Sequence, residues 1–179
     1  ISSVENADAV AKTIMNTNTA GLAGALIAGV LMYFRYKLFD ITMILNGALG
    51  GLVAVTAGPD LYDMYTPILI GLIGGALVVF AVPLFDKLKL DDPVGALSVH
   101  LVNGIWGTLA VGIFAEGISF MDQLKGVLVV AVFAFSVSFI ILFIINKLST
   151  FRAEDDAQVE GMDVNECGVE AYPEFKRAI

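Results

Sequence analysis

Five runs of about twenty apolar residues constrain this chain more than any other feature of its sequence. They lie at residues 10–34, 41–58, 66–85, 93–115 and 124–146. An α-helix needs about 20 apolar residues to cross the roughly 30 Å hydrocarbon core of a bilayer. Because the connectors are short, consecutive helices are predicted to be antiparallel neighbours. We therefore predict an all-α membrane protein with a transmembrane bundle over residues 1–150 and a tail over residues 151–179.

The composition favours the same fold class. Hydrophobic residues make up 58% of the 179 positions and charged residues 16%, whereas a soluble domain has about 45–50% and about 25%. Strands of a membrane β-barrel alternate apolar and polar residues over about ten positions. The run "GVLVVAVFAFSVSFIILFII" does not alternate, so helices are predicted.

The positions of lysine and arginine predict the orientation in the membrane. Eight of them follow the first, third and fifth runs or lie in the tail: Arg35, Lys37, Lys87, Lys89, Lys147, Arg152, Lys176 and Arg177. The opposite side has only Lys12 and Lys125, near helix starts. Because basic residues are concentrated on the cytoplasmic side of membrane proteins, the carboxy-terminal tail is predicted to be cytoplasmic.

The charge and the scarcity of metal ligands exclude several functions. The formal net charge is −8, and much of the acidity lies in the tail after Arg152, which argues against a nucleic-acid partner. Cys167 is the only cysteine, so no internal disulfide forms. With one cysteine and one histidine, the chain offers no metal site and no nucleophilic triad. We expect neither a cofactor nor an enzymatic activity.

His100 is the residue of greatest functional interest, because it is the only histidine and lies in an otherwise non-ionisable run. A helix that starts at Pro93 places it about 10 Å along the axis. On an α-helix, Ala96, His100, Asn103 and Gly107 share one face, which suits a pore wall. A neutral imidazole both donates and accepts a hydrogen bond. An ionisable residue within a span indicates a functional site, although a packing role between helices is also open.

Two further patterns have structural explanations. Asp91 and Asp92 precede Pro93, as expected for residues that cap a helix amino-terminus, with a role at the pore mouth as the alternative. Small residues recur at four-residue spacing within the first three runs: Ala20, Gly24, Ala28, Gly47, Gly51, Gly71 and Gly75. Such spacing predicts close helix packing.

Several of these motifs occur together in one family. The fourth run contains Asp-Asp-Pro, then His100 seven residues after the proline, then spaced glycines. The segments "NTNTA", "NGALGGLVAVTAG" and, in the tail, "GMDVNECGVEAYPE" add to the pattern. In these motifs, which cover nearly the whole chain, the sequence resembles the ammonium transporter family (Amt/MEP, relatives of the Rh proteins).

The resemblance implies a fold, a function and partners. The five helices would be the seventh to eleventh of an eleven-helix fold, with the amino-terminal half of the same protein outside this sequence. The family forms homotrimers in the cell membrane, with one narrow apolar pore per subunit that conducts ammonia after ammonium is deprotonated. His100 matches the second of two pore histidines, with Ala96 and Asn103 beside it.

The tail also matches the family's cytoplasmic signature. The matching positions, implied to be regulatory and to include contacts for a P-II signalling protein, are Gly161, Asp163, Gly168, Tyr172 and Pro173. Two other functions stay open. One is an ammonium sensor that uses the transporter fold to signal through a cytoplasmic partner. The other is a membrane bundle without permeation, in which His100 only packs.

Overall fold

The computed structural model describes residues 7–149 and 152–173, and the regular structure in these ranges is helical. In chain order the α-helices are α1 Ala7–Tyr36, α2 Ile41–Val55, α3 Thr66–Lys87, α4 Val102–Phe114, α5 Phe120–Leu148, α6 Asp155–Glu160 and α7 Met162–Cys167. A π-helix, Ala96–Leu101, continues directly into α4. The predicted all-α fold class is confirmed.

Four helical segments in the described ranges are long and apolar enough to cross a membrane: Ala7–Tyr36, Thr66–Lys87, Ala96–Phe114 and Phe120–Leu148. The second run differs from the prediction. Helix α2 has 15 residues, which at 1.5 Å each span about 22 Å, less than the apolar thickness of a bilayer. It is shorter because residues 56–58 form a turn, so α2 is an apolar helix of less than full spanning length.

The chain divides into two compact units, Ile1–Val130 and Ala131–Ile179. In the first unit, α1, α2 and α3 meet where the backbone oxygen of Ala20 lies against Gly51 of α2 and Gly71 of α3. One turn along α1, Gly24 lies in the same way against Gly47 and Gly75.

These contacts confirm the predicted close packing of small residues. A methyl group on Gly51, Gly71 or Gly75 would overlap backbone atoms of α1. In a membrane bundle, where apolar side chains gain little by leaving lipid, such close backbone approach supplies the van der Waals contact that holds helices together. The small residues therefore fix the arrangement of the first three helices.

The connector between α2 and α3 is fixed to α1 by a buried amide. Asn16 is 5% exposed, and its Nδ2 donates to the backbone oxygens of Pro59, at 2.7 Å, and Tyr62, at 3.3 Å. The Tyr62 side chain is packed in the apolar cluster of the first unit, and its burial raises the pKa of the hydroxyl to about 12. The phenol is therefore neutral at physiological pH.

The second unit contains the end of α5 and the tail helices. No described side chain of α5 is buried. The rings of Phe135, Phe139 and Phe143 stack along it with centroid separations of 6.1 and 6.3 Å. The ammonium of Lys147 lies 4.9 Å from the centre of the Phe143 ring. This apolar surface is long enough to face lipid or protein across the whole bilayer core.

Candidate functional site

The segment around His100 begins with a π-helical turn. Gly95 precedes it with φ of 75°, a left-handed conformation that glycine adopts without steric cost. The backbone oxygen of Gly95 accepts from Val99 N at 2.9 Å and from His100 N at 3.3 Å. The second bond spans five residues, as in a π-helix, and such turns are frequent at functional sites.

Asp92 stabilises the start of this turn. Its Oδ1 accepts from Leu97 N at 3.0 Å, and its Oδ2 accepts from Ser98 N at 2.9 Å and from Ser98 Oγ at 2.8 Å. Partial burial raises the pKa of the carboxyl, but the hydrogen bonds from the amides of Leu97, Ser98 and Ala96 and from the Ser98 hydroxyl outweigh burial and hold the pKa below its usual value. Asp92 therefore satisfies amide groups that the first turn leaves unpaired.

Asp91 and Pro93, the other two residues predicted to cap the helix, do not lie at its first turn. The helix begins at Ala96, not at Pro93, which lies in a turn. His100 is consequently four residues into the helix, about 6 Å along its axis, and not the 10 Å that a start at Pro93 gives. Asp91 is exposed and has no side-chain hydrogen bond among the described residues. Only Asp92 contacts the amides of the turn.

The Asp92→Ala variant is expected to lower the free energy of unfolding by about 1 kcal/mol at neutral pH, the usual effect of losing a helix cap. Because the folded pKa of Asp92 is depressed, the stabilisation is present above the unfolded pKa of about 3.9. It is lost as the pH falls through the folded value. Thermal unfolding of the detergent-solubilised protein between pH 7 and pH 3 measures both effects.

Asp91→Ala is the matched control, because it removes a neighbouring carboxylate that has no such hydrogen bonds. Its melting temperature is expected to stay close to that of the wild type. Equal destabilisation by the two variants would show that net charge, and not the contacts to Leu97 and Ser98, produces the effect.

The predicted common face of Ala96, His100 and Asn103 is not present. Ala96 and His100 are exposed in the described chain, whereas Asn103 is 0% exposed and Gly107 is buried. The expectation assumed uniform α-helical spacing, and the π-helical turn changes the rotation per residue between Ala96 and Leu101. The structure therefore brings His100 together with Ala96 on an open surface and places Asn103 in the core.

Asn103 is a buried amide between two glycines. It contacts α2 at Gly50 and α3 at Gly74, since a methyl group on either glycine would lie 3.0 Å from Nδ2 or 2.9 Å from Oδ1. Neither atom of the amide has a hydrogen-bond partner in the described chain. A buried amide without a partner costs about 1–3 kcal/mol by protein mutational data, so Asn103 is an energetically unfavourable residue at this helix crossing.

Trp106 fixes the second half of the segment to a neighbouring helix. Its Nε1 donates to the backbone oxygen of Ile70 in α3 at 3.2 Å, and its ring packs against the core cluster of the first unit. Together with the close approach of Gly107 to Ala54 in α2, this contact positions α4 while His100 stays exposed.

Sequence reasoning missed two parts of this site. Ser98, which is 0% exposed and donates to Asp92, gave no signal because serine within an apolar run is common. The contact of Gly50 and Gly74 with Asn103 was not predicted, because each of these glycines has another glycine next to it in the sequence and the four-residue spacing selected that neighbour.

The tail residues with a predicted regulatory role lie around α6 and α7. Gly161 separates the two helices with φ of 116°, and Gly168 follows α7 with φ of 67°. Asp163 Oδ2 accepts from Ala171 N at 2.8 Å, which draws the chain after α7 back towards its start. Tyr172 and Pro173 follow in exposed positions.

Comparison with known proteins gives close matches over most of the chain. The model of the Ammonium Transporter Family matches residues 1–172. Ammonium transporter Amt2 of Archaeoglobus fulgidus is 33% identical over 180 residues, covering 89% of this chain and 38% of the relative. The ammonium transporter of Bacillus subtilis is 32% identical over 176 residues, covering 88% of this chain and 43% of the relative.

Two solved structures have the same fold over this region. A structure described as "Sensor Amt Protein" superposes with a TM-score of 0.82 at 31% identity, covering 92% of this chain and 42% of that one. The crystal structure of Mep2 of Saccharomyces cerevisiae superposes with a TM-score of 0.76 at 27% identity, covering 83% and 38%. The chain thus spans less than half the length of these similar proteins.

Proposed function

This chain belongs to the ammonium transporter family, and from that membership we propose that its protein conducts ammonium across a membrane through a narrow apolar pore in which His100 handles the proton. The family is one of multi-pass membrane proteins and is not enzymatic, as the sequence predicted. The pore and the role of the histidine go beyond family membership. They rest on the residues described above.

The position of His100 is the observation that carries the proposal. The imidazole is exposed. The segment that carries it is held before His100 by the hydrogen bond from Ser98 to Asp92, and after His100 by the hydrogen bond from Trp106 to Ile70. A core histidine that only packs would be buried against neighbouring helices, as Asn103 is. His100 therefore faces a space outside the described bundle, where a pore wall contributed by the rest of a longer protein would lie.

The remaining features of the proposal follow the family pattern. Helices α1, α2 and α3, the helical segment Ala96–Phe114 and helix α5 are proposed to be the seventh to eleventh helices of an eleven-helix subunit in a homotrimer of the cell membrane. The tail is proposed to be cytoplasmic, and the distribution of lysine and arginine supports this orientation. Gly161, Asp163, Gly168, Tyr172 and Pro173 are proposed to form the regulatory segment that binds a P-II signalling protein.

Ammonium sensing is the second candidate function, and a specific observation favours it. A solved structure similar to this chain, with a TM-score of 0.82, is described as a sensor protein of the Amt type. In this alternative the same fold binds ammonium, and a cytoplasmic partner receives the signal. The two functions differ in whether ammonium crosses the membrane.

Ammonium-driven flux into liposomes that contain the complete protein distinguishes the two functions. For a transporter we expect a saturable change in internal pH or in membrane current that empty liposomes lack and that equal sodium chloride does not produce. Ammonium binding without flux would favour the sensor. Neither binding nor flux would contradict both functions and favour a bundle without permeation.

A further inference from the structure

The π-helical turn Ala96–Leu101 is capped by a residue that lies outside it. Gly95 occupies the position directly before the turn, where a serine, threonine, aspartate or asparagine side chain usually accepts hydrogen bonds from the first free amides. Glycine has no side chain for this role. Asp92, earlier in the sequence, accepts these bonds instead from the amides of Leu97 and Ser98. The turn therefore depends on a carboxylate beyond its own first residue.

The Ser98 hydroxyl adds a contact that capping of the backbone does not require. Its Oγ donates to Asp92 Oδ2 at 2.8 Å, and the same oxygen accepts from Ser98 N at 2.9 Å. Ser98 is 0% exposed, and a buried hydroxyl without a partner is costly. The hydroxyl is thus held to Asp92, and both donors of Ser98 are directed at one carboxylate oxygen.

The hydrogen bonds of the turn combine two helical spacings. Gly95 O accepts from Val99 N at 2.9 Å, as in an α-helix, and from His100 N at 3.3 Å, as in a π-helix. At the end of the turn, Val102 N donates to Leu97 O, which again spans five residues. Loss of these five-residue bonds would return the turn to α-helical spacing.

The spacing of the turn decides where the imidazole of His100 lies. In the π-helical turn His100 is exposed, although Val99 before it is 1% exposed. With uniform α-helical spacing, His100 would share a face with Asn103. Asn103 packs against Gly50 of α2 and Gly74 of α3. The π-helical spacing therefore keeps the imidazole away from a closely packed helix crossing.

We propose that Ser98 is a positioning residue for His100. Its hydrogen bond to Asp92 holds the turn in π-helical spacing and so keeps the imidazole exposed to the path of ammonium. The inference rests on the proposed function of His100 and extends it to a side chain that is fully buried and acts only through the turn. A serine with a packing role alone would contribute to stability without setting the direction of His100.

Ser98→Ala removes the hydroxyl and preserves the rest of the side chain. Loss of a hydrogen bond to a carboxylate shifts an equilibrium between two conformations by about ten-fold, the lower end for a bond to a charged group. The maximal ammonium flux per folded protein in liposomes is expected to fall by up to this factor. The ammonium concentration that gives half of the maximal flux should change little, because the variant affects proton handling and not the entry of ammonium.

Thr108→Val is the matched control for the loss of a hydroxyl. Thr108 lies in the same helical segment, but its Oγ1 donates to Gly104 O within its own helix, at 2.8 Å. Its flux is expected to stay close to that of the wild type.

A double variant tests whether Ser98 acts through Asp92. Asp92→Ala alone and Asp92→Ala with Ser98→Ala are expected to have equal flux, because the hydroxyl has no carboxylate to bind once Asp92 is replaced. Effects of residues that act through one shared contact are not additive.

The chemical reactivity of His100 reports its position independently of transport. Diethyl pyrocarbonate reacts with accessible neutral imidazoles, and mass spectrometry of the peptide that contains His100 gives the initial rate in the complete protein. At one pH, this rate is expected to be lower in Ser98→Ala than in the wild type and in Thr108→Val. If the wild type conducts no ammonium, the proposed function fails, and this rate still tests the positioning role.

Three results would overturn the proposal. The first is a His100 reaction rate in Ser98→Ala equal to that of the wild type, which would show that the hydroxyl does not set the direction of the imidazole. The second is wild-type maximal flux in Ser98→Ala. The third is flux in the double variant well below that of Asp92→Ala, which would show that Ser98 acts independently of the carboxylate.

Discussion

Replacing Gly71 by leucine is expected to destabilise the helical bundle by about 3 kcal/mol or more, at the upper end of the cost of overpacking. A methyl group at Gly71 would overlap the backbone oxygen of Ala20 and lie 2.7 Å from its Cα. These are backbone atoms of a neighbouring helix, so no side chain can rotate to make room. Gly51 contacts the same Ala20 oxygen from α2, so displacing α1 disturbs all three helices at once.

The melting temperature of the purified protein in detergent measures this effect. Gly126→Leu is the matched control, because a Cβ at Gly126 on α5 would meet no atom within 4 Å. Replacing an exposed helical glycine removes a residue of poor helix propensity, so the control is expected to be neutral or more stable by up to about 1 kcal/mol. A Gly71→Leu protein that melts with the wild type would show that the close approach of α1 and α3 is incorrect.

Replacing His100 by alanine is expected to reduce ammonium flux about 100-fold or more while the protein still folds and inserts. The factor is the lower end of what a positioned proton-transfer group contributes in enzymes. The reason is chemical: His100 is the only imidazole in the chain, and no other side chain in the segment Ala96–Phe114 is ionisable. The initial rate of ammonium-driven pH change in liposomes measures the loss.

Two companion variants separate proton handling from packing. Leu101→Ala removes an exposed side chain from the same π-helical turn and is expected to keep most of the flux. His100→Gln keeps a polar group of similar reach but does not titrate, so its flux is expected to be as low as that of His100→Ala. Wild-type flux in His100→Gln would show that a hydrogen-bonding side chain is sufficient at this position, and it would contradict proton transfer by His100.

The helical fold was predictable because the bilayer imposes length and composition on each span. The four-residue spacing of Gly47 with Gly51 and of Gly71 with Gly75 also indicated which faces pack, and the structure confirms these faces. The start of α2 was predicted correctly, but its end was not, because the predicted run was extended over Thr56, Ala57 and Gly58, where the chain has already left the helix. Hydropathy alone does not register a turn of this kind.

The arrangement of the site was less predictable, because it depends on one irregular turn. Gly95 and the carboxylate of Asp92 initiate a π-helix, and a spacing argument based on the α-helix does not anticipate it. The error placed Asn103 on the same face as His100, whereas the structure packs it between Gly50 and Gly74. The identity of His100 as an exceptional residue was nevertheless evident from composition, since a lone ionisable group within a span is rare.

The selectivity of the reconstituted protein tests the central claim most directly. The wild type, His100→Ala and Leu101→Ala are each reconstituted into liposomes of the same composition, and ammonium and potassium fluxes are measured for each protein. The proposed role of His100 predicts that the wild type and Leu101→Ala conduct ammonium and not potassium, and that His100→Ala loses selective ammonium flux. Ammonium flux and selectivity in His100→Ala equal to those of the wild type would contradict the claim.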